Sequence, residues 1–255
     1  MDLQLKGKRI AVFGGSRGIG LAIVKAFAAE GAHVAVCARN PDDIANLVAY
    51  HKTDGASIEG RALDVTDAHA VATWIAHLVA GGGIDAAVLC VSALVTGGSE
   101  EDWRKSIDVD LLATVRTMEA LVPALTEAAA MNGDAALIHI STTAAREAIT
   151  SAAYGPVKAA IANLCKAKAR ELAPKKVRIN TVSPGLVYFE GGIWEKLKTA
   201  MPDRYASAIA RSPTGRMAAV EEIANAAVFL ASPRSSFTSG ATLTIDGALT
   251  LGVQF

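Results

Sequence analysis

The stretch Arg9-Ile10-Ala11-Val12-Phe13-Gly14-Gly15-Ser16-Arg17-Gly18-Ile19-Gly20 joins a short apolar run to a glycine-rich turn, and a helical pattern starts immediately behind it. A strand that turns through glycines into a helix lets backbone N–H groups approach a pyrophosphate at the positive end of the helix dipole. Glycines also serve any tight turn, so the position between a first strand and a first helix is what gives the motif meaning. The spacing Gly14-x3-Gly18-x-Gly20 is wider than the common dinucleotide fingerprint. Gly14, Ser16, Arg17, Gly18, Ile19 and Gly20 are the candidate cofactor contacts of this turn.

The same rhythm continues outward. Apolar runs fall at Arg9–Phe13, His33–Ala38, Ser57–Leu63, Ala86–Val91, Ala135–Ile140, Val177–Val182 and Thr242–Ile245. Segments with helical spacing lie between most of them, at 18–30, 41–51, 67–80, 100–130, 152–173 and 219–231. This alternation predicts an α/β fold with a parallel sheet and helices on both faces. Strands that read as continuous apolar runs fit burial on both sides. No linker or repeat divides the chain, so residues 1–255 are read as one domain. The stretch 184–218 breaks the rhythm with four glycines and three prolines, and a loop of that length is usually functional.

Composition narrows the partners. Of 255 residues 51% are hydrophobic, and 25 basic residues balance 25 acidic ones, which leaves no basic footprint for nucleic acid. Cys37, Cys90 and Cys165 are far apart and sit in apolar segments, and so read as buried thiols, not as disulfides or a metal site. No run has the length of a membrane span or the pattern of a signal peptide. The expectation is a cytoplasmic protein with a small-molecule substrate, no metal and no membrane or nucleic-acid partner.

The second strand ends in Ala38-Arg39, with no acidic residue to bind a ribose 2′-hydroxyl. Arg39 instead offers a guanidinium fork suited to a phosphate, and Arg17 can reach the same group. This predicts a preference for NADP(H) over NAD(H); two solvated arginines are the bland alternative. At the end of the third strand, Asp64 can accept from an adenine amino group, with Val65 beside it, or serve a helix start. Tyr154 and Lys158 are one helical turn apart on one face. A phenol with a free pKa of about 10 needs a neighbouring cation to work near neutrality. Ser141 follows the fifth strand, thirteen residues before Tyr154, where a hydroxyl can hold a substrate carbonyl. Pro156 requires that the helix start near Ala152 or Ala153.

In order and spacing, Gly14-x3-Gly18-x-Gly20, Asp64, Ser141, Tyr154-x3-Lys158 and Asn180-x3-Pro184-Gly185 resemble the short-chain dehydrogenase/reductase family over essentially the whole chain. The resemblance implies a single Rossmann-type domain, a doubly wound seven-stranded parallel sheet, and hydride transfer between a nicotinamide and a carbonyl or alcohol carbon. It implies that Tyr154 is the general acid/base and that Ser141 orients the substrate oxygen. Lys158 would bind the nicotinamide ribose and lower the Tyr154 pKa. Pro184, Gly185 and Val187 would line the nicotinamide pocket, and Ser92 would add a cofactor contact after the fourth strand. A substrate lid is expected at about 186–215, and a homo-oligomer, tetramer or dimer.

Three positions depart from the family. Phe13 stands where threonine is usual, and Leu89-Cys90-Val91-Ser92 where Asn-Asn-Ala-Gly is usual; together they read as a matched apolar replacement. Asp110 replaces an asparagine whose carbonyl serves a proton relay behind the lysine. Its carboxylate would raise the pKa of Lys158 or Tyr154, or point elsewhere. On the substrate side, Leu94, Tyr188 and Trp194 are the candidate contacts, and an apolar lid favours a hydrophobic ketone or alcohol. The competing reading is a dinucleotide-binding regulator with weak or no turnover.

Overall fold

A computed structural model describes residues 1–53, 56–148 and 151–253. Seven strands form one sheet: β1 (Arg9–Phe13), β2 (His33–Ala38), β3 (Ile58–Ala62), β4 (Ala86–Leu89), β5 (Ala135–Ile140), β6 (Val177–Pro184) and β7 (Thr242–Ile245). Their spatial order is β3-β2-β1-β4-β5-β6-β7, and every pairing is parallel. Strands β4, β5 and β6 are buried along their full length. This is the physical reason their sequences carry no alternation: helices cover both faces.

Side chains alternate between the two layers. Ala11, Phe13, Leu89, Leu137 and Ile179 face the core formed with α3 (Ala68–Ala80), α5 (Ala113–Asn132) and α6 (Tyr154–Leu172). Ile10, Val12, Val88 and Ile138 face the other core, formed with α1 (Gly18–Ala29), α2 (Pro41–Thr53) and α9 (Val220–Ala231). The strand order reverses between β1 and β4: successive strands run outward to β3 on one side and to β7 on the other. In open α/β sheets the crevice beyond the strand ends at that switch point receives the ligand.

Three local features differ from the sequence reading. The helical stretch 100–130 is not one helix. It runs as α4 (Glu100–Ser106), a π-helical segment (Ile107–Leu112) and α5. A π segment takes an extra residue into the turn, which no propensity or periodicity announces, and such segments frequently mark functional sites. Strand β4 ends at Leu89, two residues short of expectation, so Cys90 and Val91 lie in the crevice itself. The stretch 184–218 contains two further helices, α7 (Ile193–Ala200) and α8 (Pro202–Arg211). Helix α6 starts at Tyr154, so Pro156 falls in its first turn, where its missing N–H costs no helical bond.

Phe13 and Leu89 are register partners across β1 and β4, and both are buried in one layer. A threonine at position 13 would leave a void and a hydroxyl facing Leu89. Phe13→Thr is expected to lower the free energy of urea unfolding by about 3 kcal/mol; an unchanged or higher value contradicts the matched apolar replacement.

Candidate active site

The crevice is a groove of about 380 Å³ beyond the carboxyl ends of the strands. One wall is the glycine turn, and Gly14, Ser16, Arg17, Gly18, Ile19 and Gly20 all line it. Gly14 and Gly18 hold φ values of +89° and +53°, a region that side-chain-bearing residues rarely adopt. A Cβ on Gly20 would run into the Gly14 carbonyl, so the turn closes only without one. The backbone N–H groups of the first turn of α1 face this groove with no side-chain cap, the arrangement that binds an anion.

Ala38, Arg39, Asn40 and Asp43 form one end of the groove. Arg17 and Arg39 are exposed there, and among the described residues neither guanidinium has a hydrogen-bond or ion-pair partner. Leu63, Asp64 and Val65 line the adjoining wall. The Asp64 carboxylate accepts from the backbone N–H and hydroxyl of Thr66, at 2.9 and 2.8 Å. Asp67 caps α3 by accepting from the N–H groups of His69 and Ala70. Ser92 and Leu94 also line the groove, and the Ser92 hydroxyl accepts from the Leu94 N–H at 3.0 Å.

Ile140, Ser141, Tyr154 and Lys158 close the opposite wall. Lys158 reaches inward from α6 and is almost wholly buried. Its ammonium donates to the Val91 carbonyl at 3.3 Å and lies 3.3 Å from Asp110 Oδ1. Asp110 stands behind the groove in the π segment and is completely buried. Its Oδ2 accepts from the Ala93 N–H and from the Ser106 hydroxyl, each at 3.2 Å. A straight α-helix over 100–130 would turn this residue differently; the π segment places the carboxylate on the lysine. Buried charges of this kind persist only when paired and hydrogen-bonded.

The electrostatics reverse one expectation. The Tyr154 phenol is held above its ordinary value, not below it: burial is the main cause, the Asp110 carboxylate adds to it, and a hydrogen bond with the Thr142 side chain opposes it. Burial likewise pushes the Cys90 thiol up to about 11, which makes it an unreactive lining group. His139, buried in β5, is kept neutral by burial and by the Lys158 charge.

Several expected contacts lie elsewhere. Pro184, Gly185 and Val187 are not on the groove wall. Gly185 packs against Asp246 and Leu249, and Val187 is buried in a bridge to Ala218. Tyr188 sits edge-on to Tyr205, with ring centroids 6.4 Å apart, and the Lys198 ammonium is 5.9 Å from both rings. Trp194 also misses the groove. Successive residues of a helix diverge by about 100°, and in α7 it is Ile193 that faces the groove. Phe189 lies flat against Gly18, close enough that a Cβ there would come within 2.7 Å of the ring. Phe189 and Ile193, part of the apolar surface expected of the lid, line the groove in place of Tyr188 and Trp194, and Val109 is an apolar lining residue that sequence reasoning missed. For Val109 the only available signal was its place next to Asp110.

Comparison with known proteins agrees with this arrangement. A family model described as enoyl-(acyl carrier protein) reductase matches residues 14–250. Isoepoxydon dehydrogenase of Aspergillus clavatus is 34% identical, over 99% of this chain and 98% of that protein. The 2,5-dichloro-2,5-cyclohexadiene-1,4-diol dehydrogenase of Sphingobium indicum is 32% identical, over 99% and 100%. The crystal structure of L-sorbose reductase from Gluconobacter frateurii, complexed with NADPH and L-sorbose, superimposes with a TM-score of 0.86 at 28% identity, covering 99% of this chain and all of that one. The chain belongs to the short-chain dehydrogenase/reductase family, whose members are oxidoreductases of CH–OH and C=O groups.

Replacing the Asp110 carboxylate by an amide removes a negative charge beside the phenol and lowers its pKa. With Tyr154 as the proton donor, the role the family resemblance implies, reduction of a carbonyl needs the protonated phenol and fails as pH rises through that pKa. The alkaline limb of kcat/KM for Asp110→Asn is therefore expected at lower pH than in the parent. Superimposable profiles mean that the carboxylate does not act on Tyr154.

Proposed function

We propose that this chain is an NADPH-dependent carbonyl reductase, also able to run as the alcohol dehydrogenase, acting on a hydrophobic ketone. The observation that carries the reading is a single groove that has a glycine anion site and two unpartnered arginines toward one end, and Tyr154 with Lys158 in its wall. Residues of this chain fit a dinucleotide. The turn Gly14–Gly20 would hold the pyrophosphate, Asp64 the adenine and Lys158 the ribose beside the nicotinamide. Arg17 and Arg39 would meet a 2′-phosphate. The bound nicotinamide supplies or accepts the hydride.

The chain's own residues handle the proton. Tyr154 gives its phenolic proton to the substrate oxygen, while the Ser141 hydroxyl in the same wall holds that oxygen in place. Lys158 stabilises the phenolate that results, and Asp110 fixes the ammonium. A phenol held above its ordinary value is protonated near neutrality and so serves as the proton donor when the carbonyl is reduced. Leu94, Val109, Phe189 and Ile193 offer the substrate apolar surface with no side-chain hydrogen-bond donors. That surface suits a hydrophobic ring better than an open-chain polyol, whose hydroxyls would be left unpaired. A dinucleotide-binding regulator without turnover has no observation of its own in its favour.

Two measurements test the reading. NADPH oxidation with 2-cyclohexen-1-one is expected to exceed that with L-sorbose, and Tyr154→Phe is expected to lower kcat by about 10³-fold. Cofactor binding with no turnover of any ketone would overturn the reading. Separately, Arg39→Ala is expected to cost about 2 kcal/mol of NADPH selectivity, roughly a 30-fold fall in kcat/KM relative to NADH. A parent enzyme that prefers NADH contradicts the arginine assignment.

A further inference from the structure

Three buried polar side chains beside the groove have no hydrogen-bond partner among the described residues. They are His139, through both ring nitrogens, and the hydroxyls of Ser141 and Ser183. His139 and Ser183 are each 1% exposed and Ser141 6%. Burying a polar group without a partner is costly, so such groups are rare and each has a cause. Here three of them fall on adjoining strands.

The register brings them together. Ile140 and Val182 are partners across β5 and β6, and the next step sets Ser141 beside Ser183. That step is still in the sheet, because the Ser141 N–H donates to the Val182 carbonyl at 2.8 Å. Ala135 and Leu137 of β5, and Val177 and Ile179 of β6, face the core layer that α6 covers. Alternation along each strand carries His139, Ser141 and Ser183 onto that same face. Neighbouring strands lie about 4.8 Å apart, and same-face residues along a strand about 6.6 Å. A water at about 2.8 Å from each partner bridges groups up to about 5.6 Å apart, the scale of this grid. The surroundings offer no substitute. Leu89 flanks His139 on β4, and Val157 and Ile161 of α6 belong to the same apolar layer. Lys158 and Asp110 are turned toward each other.

We propose that an internal water is bound between His139, Ser141 and Ser183, and that through it His139 aims the Ser141 hydroxyl at the substrate oxygen. The proposal rests on the carbonyl-reductase reading above. Buried waters make about three hydrogen bonds, to polar groups that otherwise have none, and three such groups adjoin here. The donor inventory fixes the directions. Burial and the Lys158 charge keep His139 neutral, so one of its nitrogens is bare and only accepts. The water donates one hydrogen to that nitrogen and the other to Ser141 Oγ, and it accepts from the Ser183 hydroxyl. With a lone pair of Ser141 thus occupied, its own hydrogen is turned toward the groove that it lines. An oxygen that gains negative charge in the transition state then meets a donor already set in place. His139, Ser141 and Ser183 lose no proton. His139 is a positioning residue, and the proton still comes from Tyr154.

A crystal structure of the protein at about 1.5 Å resolution is expected to show a water within about 3.2 Å of Ser141 Oγ, Ser183 Oγ and one His139 nitrogen. A dry site overturns the proposal. Kinetics with NADPH and 2-cyclohexen-1-one test what the water does. His139→Leu and Ser183→Ala are each expected to lower kcat about tenfold, the worth of one hydrogen bond, with NADPH affinity unchanged. Both act through one water, so the double variant is expected to lose at most about threefold more than either single one, where independent effects would multiply to about a hundredfold. Asparagine places its amide where histidine Nδ1 lies, and glutamine where Nε2 lies. One of His139→Asn and His139→Gln is therefore expected to keep kcat within about threefold of the parent. Ser183→Ala removes a single oxygen, so a folding defect in His139→Leu leaves the test standing. Unchanged kcat in Ser183→Ala, or losses that multiply in the double variant, overturn the positioning role. If the parent reduces no ketone, the carbonyl-reductase reading fails, and the crystal structure still decides whether the water site exists.

Discussion

The buried ion pair between Asp110 and Lys158 is the constraint on which the site depends. Neither side chain has more than 2% exposure, and their charged atoms are 3.3 Å apart. Removing either partner would strand a charge in the protein interior at a cost of about 3–5 kcal/mol, so the surroundings are built to keep both. Asp110 is positioned by the π segment and held by Ser106 and by the backbone at Ala93. Lys158 is held by the Val91 carbonyl, available because β4 stops at Leu89. The pair thus ties the crossover after β4 to the start of α6. It also fixes the charge that Tyr154 feels. Burial first, and the Asp110 carboxylate after it, hold the Tyr154 phenol above its ordinary value.

The two walls of the groove are held by different physics. The cofactor side is backbone: positive φ at Gly14 and Gly18, and a contact at Gly20 that excludes any side chain. It is rigid because it stands on β1 and β2, whose side chains fill both cores. The substrate side is mostly side chain. Phe189 against Gly18 and Ile193 on α7 bring the apolar segment after β6 down onto the glycine turn itself. An incoming dinucleotide and the apolar segment therefore meet at the same place, Gly18.

Much of the architecture was legible because burial writes itself into apolar runs. The bounds of β1, β2, β5 and β7 coincide with those runs, and the glycine turn, Asp64, Ser92, Leu94, Ser141, Tyr154 and Lys158 all reach the groove. What escaped were features fixed by direction rather than composition. The π segment differs from an α-helix by one residue per turn, a shift that hydrophobic spacing does not resolve. Tyr188 and Trp194 were the obvious aromatic contacts after β6. The rotation of α7 and the Tyr188–Tyr205–Lys198 cluster turn them away and leave Phe189 and Ile193 in their place.

The central claim is that burial, together with the Asp110 carboxylate seated on Lys158, holds the Tyr154 phenol above its ordinary pKa. Its most direct test is an NMR titration of ¹³Cζ-tyrosine in the unliganded protein, with the Tyr154 signal assigned through Tyr154→Phe. The account predicts that this resonance is still that of the neutral phenol at pH values above 10, the ordinary tyrosine pKa, and that it titrates earlier in Asp110→Asn. Ionisation of Tyr154 below pH 10 in the parent would contradict it.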